Sequence, residues 1–219
     1  MLAAVGEVLA RDGFAAIGVN AIAREAGVDK VLIYRYFGGL PELLRAWGAS
    51  GRFWPGVDEL VADMPQPLAS LPLHERYALF FERFIDALRA RPLTIEILAA
   101  EIVTRNELTA ILEAEREAWG AQAESTIGGD AWQRQPQLRG LTLLLVAGVQ
   151  HLLVRARTIS IFGGLDLRSD AAWALLKASL RHMAWQMLGD GVGTVPSSVA
   201  RTTQAAAPRR GSAARQRRG

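Results

Sequence analysis

Apolar residues recur at helical spacing through most of the chain up to about residue 190, and no segment alternates as a strand would. The chain also has no internal repeat and no heptad seam. The pattern therefore predicts an all-α protein. We expect a small N-terminal domain over residues 1–47, a helical bundle over residues 48–190, and a disordered Arg-rich tail over residues 191–219.

Residues 18–37 predict two short helices joined by a tight turn. Ile22 and Ala23 lie on one face of the first helix, and Gly27 suits the left-handed residue at which a helix ends. Asp29 is a favourable N-cap for the second helix. This is the pattern of a helix-turn-helix motif, whose second helix enters the major groove of DNA, although an ordinary helical hairpin within a bundle has the same spacing.

The residues around this motif resemble the N-terminal domain of the TetR/AcrR family of transcriptional regulators over residues 2–47. The resemblance implies a one-component, ligand-responsive regulator without a cofactor, a repressor as most relatives are. It would act as a homodimer on a near-palindromic double-stranded DNA operator in the cytoplasm. The matching residues are the first helix closed by Gly13 and Phe14, then Ile22, Ala23, Ala26, Gly27, Val28, Tyr34, Phe37, Glu42, Leu43 and Leu44.

The resemblance also implies a set of DNA contacts around the turn. Tyr34 and Tyr36 are expected to contact backbone phosphates, and Lys30 is expected to contact a phosphate or a base. Val31 and Leu32 would face the floor of the groove and favour apolar contact with thymine methyl groups. The full predicted set is Gly18, Asn20, Asp29, Lys30, Val31, Leu32, Tyr34, Arg35 and Tyr36.

The chain departs from the family pattern at several positions. Gly18 stands where relatives usually have Ser or Thr, and Leu40 stands where a Lys usually contacts phosphate. Val31 and Leu32 stand where the family favours Gly or a small polar residue, and it is this departure that suggests apolar contact with the bases. Many relatives carry a basic arm before the first helix, so either the arm is missing here or the start is assigned late. These departures keep open an alternative, an all-α ligand-binding or interaction protein without operator binding.

The second domain is predicted to consist of helices that differ in how apolar they are. The longest is nearly apolar all round and is expected to be central and buried, with Gly163 and Gly164 ending it. The last two helices carry more apolar surface than one small domain covers, including Trp173 and Trp185, which favours a homodimer that pairs them in a four-helix bundle. The predicted helices cover residues 57–63, 73–91, 93–103, 106–127 with Asn106 as N-cap, 136–162, and 170–187.

The charge of the chain is unevenly distributed. The 25 basic and 22 acidic residues give +3, but six arginines and no acid lie in residues 191–219. Removing those six leaves 19 basic against 22 acidic residues, so the folded part is acidic and the motif, not the composition, indicates DNA binding. The tail could add non-specific attraction to phosphate or could be a solvated extension.

Composition and motifs also exclude several classes of site. Cysteine is absent, so the chain has no disulfide and no thiol metal site. The three histidines lack metal-ligand spacing, and no nucleophile elbow or phosphate-binding loop is present, which predicts no metal and no catalysis. No signal peptide is visible, and residues 141–154 are too short an apolar stretch to span a bilayer, so we expect no membrane partner.

Polar residues inside the apolar helices indicate either an internal ion-pair network or a pocket for an unknown small-molecule effector. The network would pair Glu96 or Glu101 with Arg105 or Arg155. The pocket would use the same polar groups as anchors among aromatic walls. The candidate pocket residues are Glu96, Glu101, Trp119, Gln150, His151 and Arg155.

Overall fold

The computed structural model describes residues 1–50, 53–103 and 107–189, and this part of the chain forms eleven α-helices. The all-α prediction is confirmed. The helices are α1 (Leu2–Asp12), α2 (Val19–Glu25), α3 (Lys30–Phe37), α4 (Leu40–Gly48), α5 (Val57–Val61), α6 (Leu73–Arg89), α7 (Pro92–Val103), α8 (Glu107–Gly128), α9 (Ala131–Arg134), α10 (Pro136–Arg155) and α11 (Asp170–Leu188), and two short strands are β1 (Ile161–Phe162) and β2 (Leu165–Asp166).

The first four helices pack around one apolar centre. Val5 and Val8 of α1, Ile22 of α2, Ile33 of α3 and Leu43 of α4 are all fully buried. Each helix is short, so its stability depends on burying this apolar face against its neighbours rather than on helix propensity. The packing leaves the opposite face of α3 free to point outward.

The first four helices and the bundle share one contiguous core. Trp47 of α4 is buried, and its ring centroid lies 5.4 Å from that of Phe53, which precedes α5. The next residue, Trp54, continues this aromatic cluster to Trp119 of α8, with centroids 5.8 Å apart. The division into domains at residue 47 therefore stays a prediction, while the core itself is continuous across it.

Helix α6 is the centre of the bundle. The six apolar residues predicted to form its stripe are all at most 3% exposed, because helices pack on several sides of it. Helix α11 runs along one side, where side chains of the two helices form ion pairs. Their N···O distances are 2.7 Å for Lys177 and Asp86, 2.6 Å for Arg181 and Glu82, and 2.6 Å for Arg89 and Asp170.

The prediction of one long helix over residues 136–162 is wrong at the C-terminal end. Helix α10 ends at Arg155, and α8, with 22 residues, is longer. Gly163 and Gly164 both have positive φ, at 57° and 82°, and they turn the chain between β1 and β2. A Gly-Gly pair with positive φ matches the two-residue turn of a hairpin, so the glycines join two strands instead of ending a helix.

The prediction that α10 is buried is also wrong for the single chain. Leu143 is 68% exposed and Leu144 is 72% exposed, because the neighbouring helices cover only one side of α10. By length and composition alone, Gln137–Arg155 could cross a membrane, and one such helix is weak evidence for a membrane protein. The predicted N-cap Asn106, the possible ion-pair partner Arg105 and the tail over residues 191–219 lie outside the described residues.

Candidate nucleic-acid interface and bundle cavity

The turn between α2 and α3 has the geometry that the sequence predicts. Gly27 has φ of 65°, and the Val28 N–H donates to the Ala23 carbonyl at 3.0 Å, which closes the end of α2. Asp29 caps α3, since its carboxylate accepts a hydrogen bond from the Val31 N–H at 2.8 Å. These local bonds fix the direction in which α3 leaves the turn.

The outer face of α3 combines aromatic, apolar and cationic side chains. Tyr34 and Tyr36 are 54% and 65% exposed, and Val31 is 60% exposed, although large apolar groups are usually covered. Arg35 is also exposed, and its guanidinium carbon lies 6.0 Å from the Tyr36 ring centroid. Lys30 is exposed at the start of the helix. This face offers hydroxyl donors, cations and a methyl-bearing surface together.

Leu32 departs from the prediction that it lies wholly outside. It is half-buried, because its position on α3 is close to the fully buried Ile33. Its contribution to an outer surface is therefore smaller than that of Val31.

The helices before and after α3 carry the other residues that the sequence singles out. Gly18 is the N-cap of α2 and makes no side-chain cap bond, and Asn20 is exposed in the first turn. Arg24, in the last turn of α2, is exposed and was not among the predicted residues. Leu40, at the start of α4, is half-buried and places no charge there.

A cavity of about 640 Å³ lies between α6, α8 and α10. This volume is in the range of small-molecule sites. Tryptophan and phenylalanine rings form much of its wall. They are Trp54, Phe80, Phe81, Trp119 and Trp132.

The charged groups at the cavity wall are largely paired with each other. Arg116 forms a bidentate pair with Glu101, with N···O distances of 2.9 and 2.8 Å. Burial raises the pKa of the Glu101 carboxyl, and the hydrogen bond and charge of Arg116 oppose this rise. Arg139 donates to Glu124 at 3.0 Å. The two cations are thus already engaged by acids of the same chain.

The structure divides the six candidate pocket residues into two groups. Trp119 and Gln150 line the cavity, and Glu101 reaches it through Arg116. Glu96, His151 and Arg155 were expected to be buried, and this expectation is wrong, because all three lie on exposed helix faces. Glu96 instead pairs with Arg157, whose Nε is 2.6 Å from its carboxylate, and the His151 ring lies edge-on to Phe162.

Most residues of the cavity wall were missed from the sequence, among them Trp54, Arg116 and Trp132. Trp54 lies outside any helix, between α4 and α5 and next to Pro55, Arg116 lies on a helix with no strong apolar face, and Trp132 lies in the four-residue helix α9. The number of tryptophans was the one available signal, because these large rings are rarely left exposed. Among the residues that the structure describes, no three His, Asp or Glu side chains cluster as metal ligands would.

Comparison with known families identifies the N-terminal region. Residues 2–47 match the family model described as bacterial regulatory proteins, tetR family. A search of curated proteins and a search of solved structures found no match to the chain. The resemblance is therefore confirmed over α1 to α4, and these helices form a domain of the TetR-family DNA-binding type.

Proposed function

We propose that this chain, with its TetR-family DNA-binding domain, is a ligand-responsive repressor that binds a near-palindromic operator as a homodimer. The observation that carries the proposal is the outward face of α3 within the matched region. Asp29 fixes the start of that helix, while Tyr34 and Tyr36 project from it to solvent. Such a rigid, exposed helix can enter the major groove.

The side chains of α3 support two kinds of contact with DNA. Tyr34, Tyr36 and Lys30 can donate hydrogen bonds to phosphate oxygens, which fixes the position of the helix on the duplex. Val31 carries an exposed branched apolar group that can contact the methyl group of thymine. We therefore expect a preference for A·T pairs beneath Val31.

The homodimer is supported by apolar residues exposed on α10 and α11. Leu143 and Leu144 on α10, and Trp185 on α11, are more than half exposed in the single chain. Large apolar residues exposed in this number are typical of a protein–protein interface. Trp173, which was expected to join this surface, is only 2% exposed and donates to the Leu167 carbonyl at 2.7 Å, so it stabilises its own chain.

The ligand response is supported by the contacts of α8. This helix lines the cavity through Arg116 and Trp119, and it also packs against α4, which follows the α3 helix. A ligand that binds one position of α8 better than another would shift α4 with it. In a dimer such a shift changes the spacing of the two α3 helices.

The proposed location is the cytoplasm, because the operator DNA is there. The apolar length of Gln137–Arg155 is then explained by contact with a second copy.

Light scattering at micromolar concentration should give the mass of a dimer. A monomer at that concentration would contradict the dimer proposal.

Selection of bound sequences from random double-stranded DNA tests the operator proposal. We expect enrichment of a near-palindrome whose half-sites lie about one helical turn apart. A variant with both Tyr34→Ala and Tyr36→Ala should enrich nothing under the same conditions. If the native chain also enriches nothing, the alternative applies, and the protein is an all-α ligand-binding protein without operator binding.

A further inference from the structure

We propose that the Arg-rich tail, residues 191–219, is a second DNA-binding segment, which attracts the phosphate backbone of a duplex without reading its sequence. The tail contains six arginines and no acid. They are Arg201, Arg209, Arg210, Arg215, Arg217 and Arg218. Its regulatory value rests on the function proposed above, but its binding to DNA of random sequence can be measured without an operator.

The N-terminal DNA-binding domain carries no net side-chain charge. Residues 1–47 contain five basic and five acidic residues. A duplex carries one negative charge per about 1.7 Å of its axis, and attraction to it depends on cations that neutralise phosphates. The domain as a whole therefore supplies no long-range attraction to DNA, although its α3 helix is shaped to enter the groove.

Two of the five cations of this domain are already engaged by acids. Arg11 pairs with Glu25 at an N···O distance of 2.7 Å, and Arg45 pairs with Glu42 at 3.0 Å. Three exposed cations have no ion pair among the residues that the structure describes, and they are Arg24, Lys30 and Arg35. Each neutralised phosphate contributes about −0.9 to the slope of log K against log salt, so these three contribute at most about −2.7 per chain.

The basic charge of the chain is concentrated in the tail. Residues 1–190 hold 19 basic and 22 acidic residues, whereas the six arginines of the tail have no acid among them that competes with phosphate. A basic segment joined to a DNA-binding domain is held at high local concentration beside the duplex. This tethering favours DNA over other polyanions as the partner of the tail.

Helix α11, which precedes the tail, ends at the end of the bundle opposite to the DNA-binding helices. Its first residue, Asp170, pairs with Arg89 at the end of α6, and the other two ion pairs between these helices show that they are antiparallel. Helix α7 follows α6 and packs against α1, where a Cβ atom on Gly6 would lie 3.4 Å from Leu93. The C-terminal end of α11, a helix of 19 residues, is therefore about 28 Å further from α1.

The tail is long enough to cover this distance. Crossing the DNA-binding domain from α1 to the outer face of α3 adds two helix diameters, about 20 Å, so the path to DNA is about 50 Å. Arg209 follows Gly189 by 20 residues, and a chain of that length spans up to about 66 Å. The five arginines from Arg209 onward can thus reach a bound duplex and add up to about −4.5 to the salt slope per chain.

Fluorescence anisotropy with the full chain and a labelled duplex of random sequence tests the inference, with salt varied between about 50 and 200 mM. Changing all six tail arginines to Gln should reduce the magnitude of the salt slope by about 2 to 4.5 per chain and weaken binding more than tenfold at the lowest salt. Changing all six to Lys should keep the native slope, because counterion release depends on the charge and not on the guanidinium group.

Two double variants control for the change in net charge. Arg217→Gln with Arg218→Gln removes two charges from the tail and should reduce the magnitude of the slope by about 1.8 per chain. Arg134→Gln with Arg168→Gln removes two charges from exposed residues outside the DNA-binding helices and should leave the slope unchanged. Circular dichroism establishes that each variant is folded.

The outcomes separate this inference from the proposed function. A native slope in the six-Gln variant, equal slopes in the two double variants, loss of slope in the six-Lys variant, or no binding of the random duplex by the native chain at about 50 mM salt would each overturn the inference. The six-Gln variant should still enrich the palindrome that the native chain enriches, because phosphate contacts carry no sequence information. If the native chain enriches no palindrome while the slopes change as expected, the repressor proposal fails and the DNA binding of the tail stands.

Discussion

Gly48, the last residue of α4, lies directly against Glu115 of α8. A Cβ atom placed on Gly48 would be 3.2 Å from Cγ of Glu115 and 3.4 Å from Cδ2 of Leu112. The next residue of α8, Arg116, belongs to the cavity wall. Helices α4 and α8 thus meet one residue away from the cavity wall, and this contact links the cavity to the DNA-binding helices.

The close contact predicts that Gly48→Val destabilises the protein. The added methyl groups would overlap Glu115 and Leu112, and overpacking of this kind lowers the free energy of unfolding by about 1–3 kcal/mol. Urea unfolding measures the loss. Gly120→Val is the matched control, because nothing lies within 4 Å of a Cβ at Gly120 in α8, the helix that carries Glu115. Equal stability of the two variants would contradict the close-contact explanation.

The exposure of Tyr34 predicts a loss of DNA affinity without a loss of fold. Tyr34→Ala removes a ring and hydroxyl that are 54% exposed, so the unfolding free energy should change by less than about 0.5 kcal/mol. Affinity for the selected operator should fall about tenfold in a gel-shift titration, which corresponds to about 1.4 kcal/mol. Tyr34→Phe separates the hydroxyl from the ring, since only the hydroxyl can donate to a phosphate. Unchanged affinity in Tyr34→Ala would remove Tyr34 from the interface.

The burial of Tyr77 predicts a loss of stability in alkaline solution. Burial raises the pKa of Tyr77 to about 12, against the opposing hydrogen bond with Thr142. Above pH 10 the unfolded chain releases this proton while the folded chain keeps it, so the free energy of unfolding decreases as the pH rises. The Tyr77 contribution is fully present below pH 10 and is lost towards pH 12, a total of about 2–3 kcal/mol.

Urea unfolding at pH 9, 10 and 11 measures this decline. Tyr77→Phe should be less stable at pH 9 by about 1 kcal/mol, because its hydrogen bond is missing, and should decline less steeply above pH 10. Tyr36→Phe should decline as the native chain does, since Tyr36 is 65% exposed. Parallel declines in the native chain and Tyr77→Phe would show that another group is responsible.

Local chemistry explains which parts of the fold are predictable from the sequence. Gly27 and Asp29 were assigned correctly because a left-handed residue and an N-cap depend on the backbone within a few positions. The burial of the α6 stripe followed from helical periodicity in the same way. By contrast, Gly163 and Gly164 allow both a helix end and a hairpin, and only the pairing of β1 with β2 decides between them.

Long-range packing explains what the sequence did not predict. Hydrophobicity alone does not show how much of a helix its own chain covers, so α10 was placed in the core although Leu144 is exposed. For the same reason, His151 and Arg155 of α10 were expected to be buried although both are exposed. The cavity forms where Trp54 meets α8 and α10, which are distant from it in the sequence. No periodic pattern predicts the position of Trp54.

The exposed apolar face of α10 predicts that one charge prevents dimer formation. Leu144 is 72% exposed in the single chain, so Leu144→Asp should not disturb the fold, and circular dichroism should stay unchanged. In a dimer, an unpaired carboxylate at this position would be buried, at a cost of about 3–5 kcal/mol.

This cost corresponds to a more than hundredfold weaker dimer, and light scattering at micromolar concentration should therefore give the mass of a monomer for Leu144→Asp. Ala114→Asp is the control, because Ala114 is an exposed residue of α8 and not of α10 or α11, and this variant should stay dimeric. If Leu144→Asp stays dimeric as well, the two copies meet elsewhere, and the apolar length of α10 needs another explanation. If it is monomeric and also loses affinity for the operator, then pairing through α10 is what places two α3 helices on one duplex.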